Sequence, residues 1–133
     1  MKNSFLIIVP ILLVIVVGVI LVFTRDYNSN LNTITLIQYK PGEDEIIKKV
    51  DITNKDKINE ISKYVDNLKP LTEDEMVNLM LYREIVIEYD HNITVGINIG
   101  QENYCDYINK AEGINSLSKL PKELYDLVIN ELK

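Results

Sequence analysis

The side chains best suited to nucleophilic chemistry are one histidine, His91, and one cysteine, Cys105. A catalytic thiol needs a nearby base and an electropositive setting that lowers its pKa. Cys105 instead lies in the sequence Glu-Asn-Tyr-Cys-Asp-Tyr, whose acidic and tyrosine side chains disfavour a thiolate. We therefore expect Cys105 to be a small apolar residue of a strand and His91 to be an exposed turn residue. The alternative is a small enzyme that uses Cys105 and His91.

Two acidic groups, at 42–45 and 72–75, are the candidates for ion binding. A calcium loop of the EF-hand type places oxygen ligands at alternate positions over about twelve residues, and neither group has that spacing. The first group suits a turn. The second is typical of a helix capping box, in which Thr72 and Glu75 each accept a hydrogen bond from the other's backbone amide. The sequence predicts no catalytic residue, no metal site and no cofactor.

Tyrosine supplies every aromatic side chain outside residues 5–23. Tyr89, Tyr104 and Tyr107 are the candidate ligand-binding residues, because a tyrosine offers a flat apolar ring with a polar tip. Together with Tyr39 and Tyr82 they would form an aromatic platform beside the hairpin predicted at 83–100. Half-buried structural tyrosines are the competing interpretation, which strand propensity favours.

Residues 5–23 contain no charged and no polar side chain. As a helix this stretch would cover roughly 28 Å, which is close to the hydrocarbon thickness of a bilayer. A cleaved signal peptide normally has a shorter apolar region, about 7 to 15 residues, followed by a small-residue cleavage site. No such site follows here. The sequence therefore predicts a tail over 1–4 and a retained transmembrane anchor over 5–23, embedded in the lipid bilayer.

The charges that flank the anchor set its expected orientation. The N-terminal amine and Lys2 lie on one side, and Arg25, followed at once by Asp26, lies on the other. Because positive flanks tend to stay in the cytoplasm, the free amine favours the N-terminus inside and the C-terminal domain outside. A domain in the cytoplasm, acting as a tethered regulatory subunit, is the alternative.

Net charge restricts the partners of the rest of the chain. The whole chain carries −6, and residues 1–26 contribute two basic and one acidic side chain, so residues 27–133 carry −7. Nucleic acids and anionic lipid surfaces both require a basic patch, so we expect neither as a ligand. A single cysteine also permits no internal disulfide, so the core alone must stabilise the domain.

Local patterns predict two hairpins. Residues 24–32 are polar and rich in Asn, which indicates a flexible stalk. β-branched runs at 33–40 and 45–52, joined by a Pro-Gly turn, predict the first hairpin. Alternating apolar residues on both sides of an Asp-His-Asn turn predict the second at 83–100. Residues 103–109 are expected to add an edge strand.

Apolar residues at helical spacing predict helices at 54–68, capped by Thr53, and from about 121 to the end. For residues 72–82 a short helix and a loop both remain open. Residues 110–119 are expected to form a loop. Gly96, on the outer face of its strand, is expected to mark a bulge or a close approach by another backbone.

These elements predict an α+β domain over 33–133. Their order is ββα followed by ββ, a further strand and a helix. An antiparallel sheet of four to five strands would carry two or three helices on one face.

Five runs carry a family resemblance: LIIVPILLVIVVGVILVF (6–23), LIQYK (36–40), EIVIEYD (84–90), YCDYIN (104–109) and LPKELYDLV (120–128). They resemble the small single-span or lipoprotein domains of unknown function of low-GC Gram-positive bacteria. The resemblance implies a bacterial envelope protein and assigns no functional residue. We therefore expect a membrane-anchored, extracytoplasmic binding or interaction module without catalytic activity. Its partner would be another envelope protein, a peptide or a wall polymer.

Overall fold

The computed structural model describes residues 30–72, 83–98 and 104–133. The predicted anchor and the undecided segment after Thr72 lie outside these residues. Among the residues that are described, no helix is both long and apolar enough to cross a bilayer.

The described part of the chain is an α+β fold, as predicted, with a larger sheet than expected. In chain order the elements are β1 (Ile34–Tyr39), β2 (Ile46–Ile52), α1 (Lys55–Val65), β3 (Ile85–Glu88), β4 (Ile93–Ile97), β5 (Tyr104–Asn109), β6 (Ile114–Lys119) and α2 (Lys122–Glu131). The six strands form one sheet in the order β2-β1-β3-β4-β5-β6. Every neighbouring pair is antiparallel.

Both predicted hairpins are confirmed. The β1–β2 turn contains Gly42, whose φ of +75° suits a residue without a side chain. In the β3–β4 turn the Asp90 carboxylate accepts hydrogen bonds from the amides of Asn92 at 2.6 Å and Ile93 at 2.7 Å. These are the local side-chain bonds that make Asp a turn residue. Pairing of β1 with β3 then joins the two hairpins into one sheet.

The sixth strand, β6, lies where the sequence predicts a loop over 110–119. It pairs with β5 along its whole length, after a turn in which Gly113 has a φ of +68°. Its sequence, Ile-Asn-Ser-Leu-Ser-Lys, lacks apolar alternation because a strand at the rim of the sheet buries little apolar surface. The prediction of a loop is therefore wrong, and β5 is an inner strand rather than the predicted edge strand.

The helices start and end close to their predicted positions. Asn54, rather than Thr53, is the N-cap of α1, and its side chain accepts hydrogen bonds from the amides of Asp56 and Lys57. α1 begins after the edge strand β2, whereas α2 begins after the opposite edge strand β6. An ion pair between Lys57 of α1 and Glu131 of α2 joins the two helices.

The core lies between these helices and one face of the sheet. Alternate residues of the strands point toward it, and the helices contribute their apolar stripes. Its fully buried members include Ile34, Leu36, Ile58, Ile61, Ile85, Ile87, Val95, Ile97, Cys105, Leu124 and Val128. The other sheet face also carries buried residues at its centre, among them Ile37 and Val86.

Gly96 lies on that second face, directly opposite Asp106 of β5. A Cβ atom added to Gly96 would overlap Oδ1 of Asp106, far closer than two such atoms can approach. Asp106 is buried there, and its Oδ2 forms an ion pair with Arg83. Gly96 therefore marks a close approach, as predicted, but the approaching group is a side chain and not another backbone.

Candidate binding groove and predicted site residues

A groove of about 640 Å³ opens at the end of the sheet where the described chain begins. Its walls are residues 30–33, Thr35 of β1, residues 88–91 after and at the end of β3, Thr94 of β4 and Lys110 after β5. Almost all of these side chains are polar. Hydrogen bonding, rather than apolar burial, would therefore dominate the recognition of a ligand here.

Three adjacent strands build the floor of the groove. Strand register places Thr35 opposite Glu88 and Glu88 opposite Thr94, all on the sheet face away from the helices. The result is a carboxylate between two hydroxyl groups. The Thr35 hydroxyl already donates to Oδ1 of Asp51 at 2.7 Å, so Glu88 and Thr94 are the floor groups best placed to meet a ligand.

The rim of the groove carries both signs of charge. Asp90 and the exposed His91 come from the β3–β4 turn, and Lys110 follows β5. The Lys110 amide donates to the carbonyl of Asn92 at 2.9 Å, which holds the end of β5 against this turn. A ligand in the groove would meet acidic and basic groups within one short stretch of surface.

The entering chain is fixed beside the groove. Leu31 packs against the core, and the Lys55 ammonium donates to its carbonyl at 2.8 Å. This contact ties the start of the domain to the N-terminal end of α1. The groove and the entry point of the chain therefore belong to the same end of the molecule.

The three candidate tyrosines do not share one surface. Tyr89 lines the groove but is only 4% exposed, because its ring belongs to the core. Tyr107 is half-buried on the helix-facing side of the sheet, opposite Val95. Tyr104 is half-buried on the other side, opposite Lys119 of β6. The structure thus brings one of the three to the groove and assembles no platform from them.

The hydroxyl group of Tyr89 is engaged within the fold. It hydrogen-bonds to the carboxylate of Asp66, the C-cap residue of α1. The pKa of Asp66 is raised above its ordinary value, chiefly by burial. The hydrogen bond from Tyr89 opposes this shift, and the charge of Asp90 adds to it. Tyr89 therefore lines the groove, and its hydrogen bond to Asp66 holds the side chain in place.

Cys105 and His91 lie at opposite ends of β4. Cys105 pairs with Ile97 at the end of that strand, whereas His91 precedes Ile93 at its start. β4 itself, which lies between the two positions, covers roughly 13 Å. Burial, and then the charge of Asp106, raise the pKa of the Cys105 thiol to about 12. The thiol is fully buried, as expected for an apolar strand residue, and no thiol dyad with His91 forms.

The folded protein is expected to protect Cys105 from thiol reagents. Thiolate is the species that reacts with these reagents. Raising the thiol pKa from 9.0 to about 12 therefore lowers the reactive fraction at pH 8 by about 1000-fold. Because the folded pKa is the higher one, the associated stability is present below pH 9 and is lost as the pH rises toward 12. Reaction with a chromogenic disulfide, before and after denaturation in urea, measures the protection.

A matched control places the cysteine on the surface. Asn115→Cys, made in a Cys105→Ala background, puts the thiol at an exposed position of β6. This variant should react at nearly the same rate in the folded and the unfolded chain. Equal rates for native Cys105 in the two states would contradict its burial.

The described residues contain no group of three His, Cys, Asp or Glu side chains that could hold a metal ion. In the 42–45 group, Lys40 forms ion pairs with Glu43 at 2.9 Å and Glu45 at 3.6 Å across the turn. This is the turn chemistry that the sequence predicts. Most of the second acidic group, at 72–75, lies outside the described residues.

Sequence patterns missed most of the groove. Glu88 and Thr94 are outward-facing residues of one hairpin, and its register would have placed them opposite each other. No local pattern links Thr35 to them, because that contact depends on the pairing of β1 with β3. Comparison with known protein families, with curated proteins and with solved structures finds no match for this chain.

Proposed function

We propose that this chain is a membrane-anchored, extracytoplasmic binding or interaction module that performs no catalysis of its own. The observation that carries the proposal is the uninterrupted apolar run over 5–23, placed just before a small domain. The N-terminus would lie in the cytoplasm and the domain outside, as the flanking charges favour.

The length of chain between anchor and domain constrains where a partner is met. Even fully extended, the chain from Phe23 to Asn30 would span at most about 25 Å. Because Leu31 is fixed beside the groove, the groove would stay close to the bilayer surface. The expected partner is therefore one found at the membrane, such as another envelope protein, a peptide or a wall polymer.

The chemistry of the groove supports a ligand that forms many hydrogen bonds. Glu88 and Thr94 on the floor, with His91 and Lys110 at the rim, offer acceptors and donors over a short distance. Backbone amides of a peptide or hydroxyl groups of a sugar polymer fit such a surface. The −7 charge of residues 27–133 disfavours nucleic acid.

Catalysis by the thiol has little support in the geometry. Cys105 is buried with a raised pKa, and His91 is at the far end of β4. The high thiol pKa leaves almost no nucleophile at neutral pH. A binding role needs no thiol nucleophile and uses His91 only as a polar group at the rim of the groove.

Sidedness of the domain is the first test of the proposal. The full-length chain carries Cys105→Ala to remove the native thiol and Asn28→Cys to place a thiol between anchor and domain. We expect a membrane-impermeant maleimide to label intact cells on a band of uncleaved length. Labelling after lysis supplies the total signal, and the Cys105→Ala chain alone supplies the background.

Three outcomes would contradict the proposed placement. Labelling only after lysis would put the domain in the cytoplasm and favour a tethered regulatory subunit. A labelled band shortened by the loss of the 5–23 segment, or recovery of the protein away from membranes, would remove the anchor.

A second test addresses the groove itself. Thr94→Trp fills the groove floor with a large ring that suits a strand, and Glu60→Trp on the exposed face of α1 is the matched control. After photo-crosslinking in membranes, we expect the covalent adduct between the domain and its partner to be lost from Thr94→Trp and kept by Glu60→Trp. Equal adduct formation by both folded variants would place the contact elsewhere.

A further inference from the structure

Among the residues that the structure describes, no strand pairs with the outer side of the edge strand β2. It ends the sheet order, and its residues Lys49 and Asp51 are exposed. The large apolar side chains that are most exposed in the described residues, Ile46 at 52% and Ile47 at 57%, both belong to it. An open edge with exposed apolar side chains is a template for another strand.

Hydrogen bonding in β1 identifies which β2 groups point outward. The Tyr39 amide donates to the carbonyl of Glu84 at 2.8 Å. The backbone N–H and C=O groups of Tyr39, and of every second residue before it, therefore point toward β3. The intervening residues, such as Leu36, must then face β2, where Leu36 is opposite Val50. Val50 therefore points its backbone groups inward, and Lys49 and Asp51 point theirs outward.

The lysines of β2 do not guard this edge with one sign of charge. Lys48 turns toward the helix side, where its ammonium donates to the carbonyl of Leu132 at 2.8 Å. Lys49 remains on the exposed row, next to the opposite charge of Asp51. A row that alternates in sign is self-complementary when it meets an antiparallel copy of itself.

We propose that β2 pairs antiparallel with β2 of a second copy of this chain, with Lys49 of each copy opposite Asp51 of the other. Val50 then lies on the two-fold axis. Shifting the register by two residues in either direction places Lys49 opposite Lys49 or Asp51 opposite Asp51. The chosen register is the one that pairs opposite charges while the outward backbone groups face each other.

The part of β2 available for this regular pairing runs from Lys48 to Ile52, because the register with β1 shifts at Ile47, between Lys48 opposite Gln38 and Ile46 opposite Tyr39. The two-fold axis runs perpendicular to the joined sheet, so the entry points of both chains lie at one height along it. Two anchored copies in one bilayer satisfy this symmetry, although the pairing itself does not depend on the anchor or the groove.

Disulfide trapping tests the register. Val50→Cys, in a full-length Cys105→Ala chain in membranes, would face its own copy across a non-hydrogen-bonded pair, where Cα atoms lie about 4.5 Å apart. We expect mild oxidation to give a disulfide-linked dimer. Lys49→Cys is the matched control. It should cross-link poorly, because residue 49 of the other copy lies diagonally across the pair and not directly opposite.

Charge reversal tests the pairs themselves. Adding Lys49→Asp to the Val50→Cys chain should lower the cross-linked yield by about tenfold, because both pairs become repulsive. Adding Lys49→Asp together with Asp51→Lys should restore it. Restoration would not be expected if the single change had merely damaged the strand.

A mass measurement keeps the inference testable whatever the variants do. Sedimentation of the unaltered chain in detergent should show a dimer that dissociates on dilution. A monomer at every concentration, together with no Val50→Cys disulfide, would overturn the proposal. A dimer that cross-links through Lys49→Cys but not through Val50→Cys would overturn the register.

Discussion

Gly96→Ala is expected to lower the free energy of unfolding by about 2 to 3 kcal/mol, at the upper end of the range found for overpacked cores. The new Cβ would overlap Oδ1 of Asp106 and would lie 3.0 Å from the Cγ atom of Arg83. Asp106 is 7% exposed, so its carboxylate cannot move aside into water without disturbing the strand. Urea unfolding of the full-length chain in detergent measures the loss.

The cause lies in one carboxylate, which makes a double-mutant test possible. Asp106→Ala alone should change stability by no more than about 1 kcal/mol, because Oδ1 has no hydrogen-bond partner among the described residues and the half-exposed Arg83 can be hydrated. Adding Gly96→Ala to Asp106→Ala should then cost about 0.5 kcal/mol or less, since the atoms nearest to the new Cβ are gone.

Additive losses in the double variant would contradict this account. They would show that Gly96 is required for its backbone freedom and not for the space that Asp106 occupies. The described glycines with a positive φ are Gly42 and Gly113, and Gly96 is not one of them. We therefore expect strong non-additivity.

Leu124→Ala is expected to cost about 3 to 4 kcal/mol, within the range measured for leucines truncated in cores. Leu124 is fully buried on α2 and belongs to the cluster that packs this helix against the sheet. Removing its branched end leaves a cavity between two rigid layers, which can collapse only in part.

Leu127→Ala provides a control on the same helix with the same chemical change. Leu127 is only partly buried against the core, so its loss should cost about 1 to 2 kcal/mol and leave little cavity. The urea midpoint should fall for both variants, and further for Leu124→Ala, without a change in the slope of the transition. Equal losses would place α2 differently on the sheet.

Local patterns were sufficient where neighbouring residues along the chain decide the structure. The second hairpin follows from alternating apolar residues around Asp90, whose carboxylate also bonds the turn amides. α1 follows from its apolar spacing, although its cap is Asn54 rather than Thr53 and it ends at Val65 rather than at the predicted Leu68. Each of these features follows from one continuous stretch of the sequence.

Patterns failed where the signal is weak or spread along the chain. β6 is mostly polar, so pairing with β5 rather than its own sequence makes it a strand. The separation of Tyr104 from Tyr107 was available from the sequence, since residues three apart on a strand point to opposite faces. Tyr89 could not be placed in this way, because its burial depends on contact with the core and with Asp66.

By itself the sequence determined the apolar run over 5–23, the acidic balance of the rest, the two hairpins and the two amphipathic helices. These properties depend on composition and on periods of two and 3.6 residues, which the chain carries locally. Tertiary structure alone decided that β1 lies beside β3, which forms the groove floor, and that Asp106 occupies the space above Gly96. Both depend on which distant segments pair, and that choice follows from the packing of the whole core rather than from any local pattern.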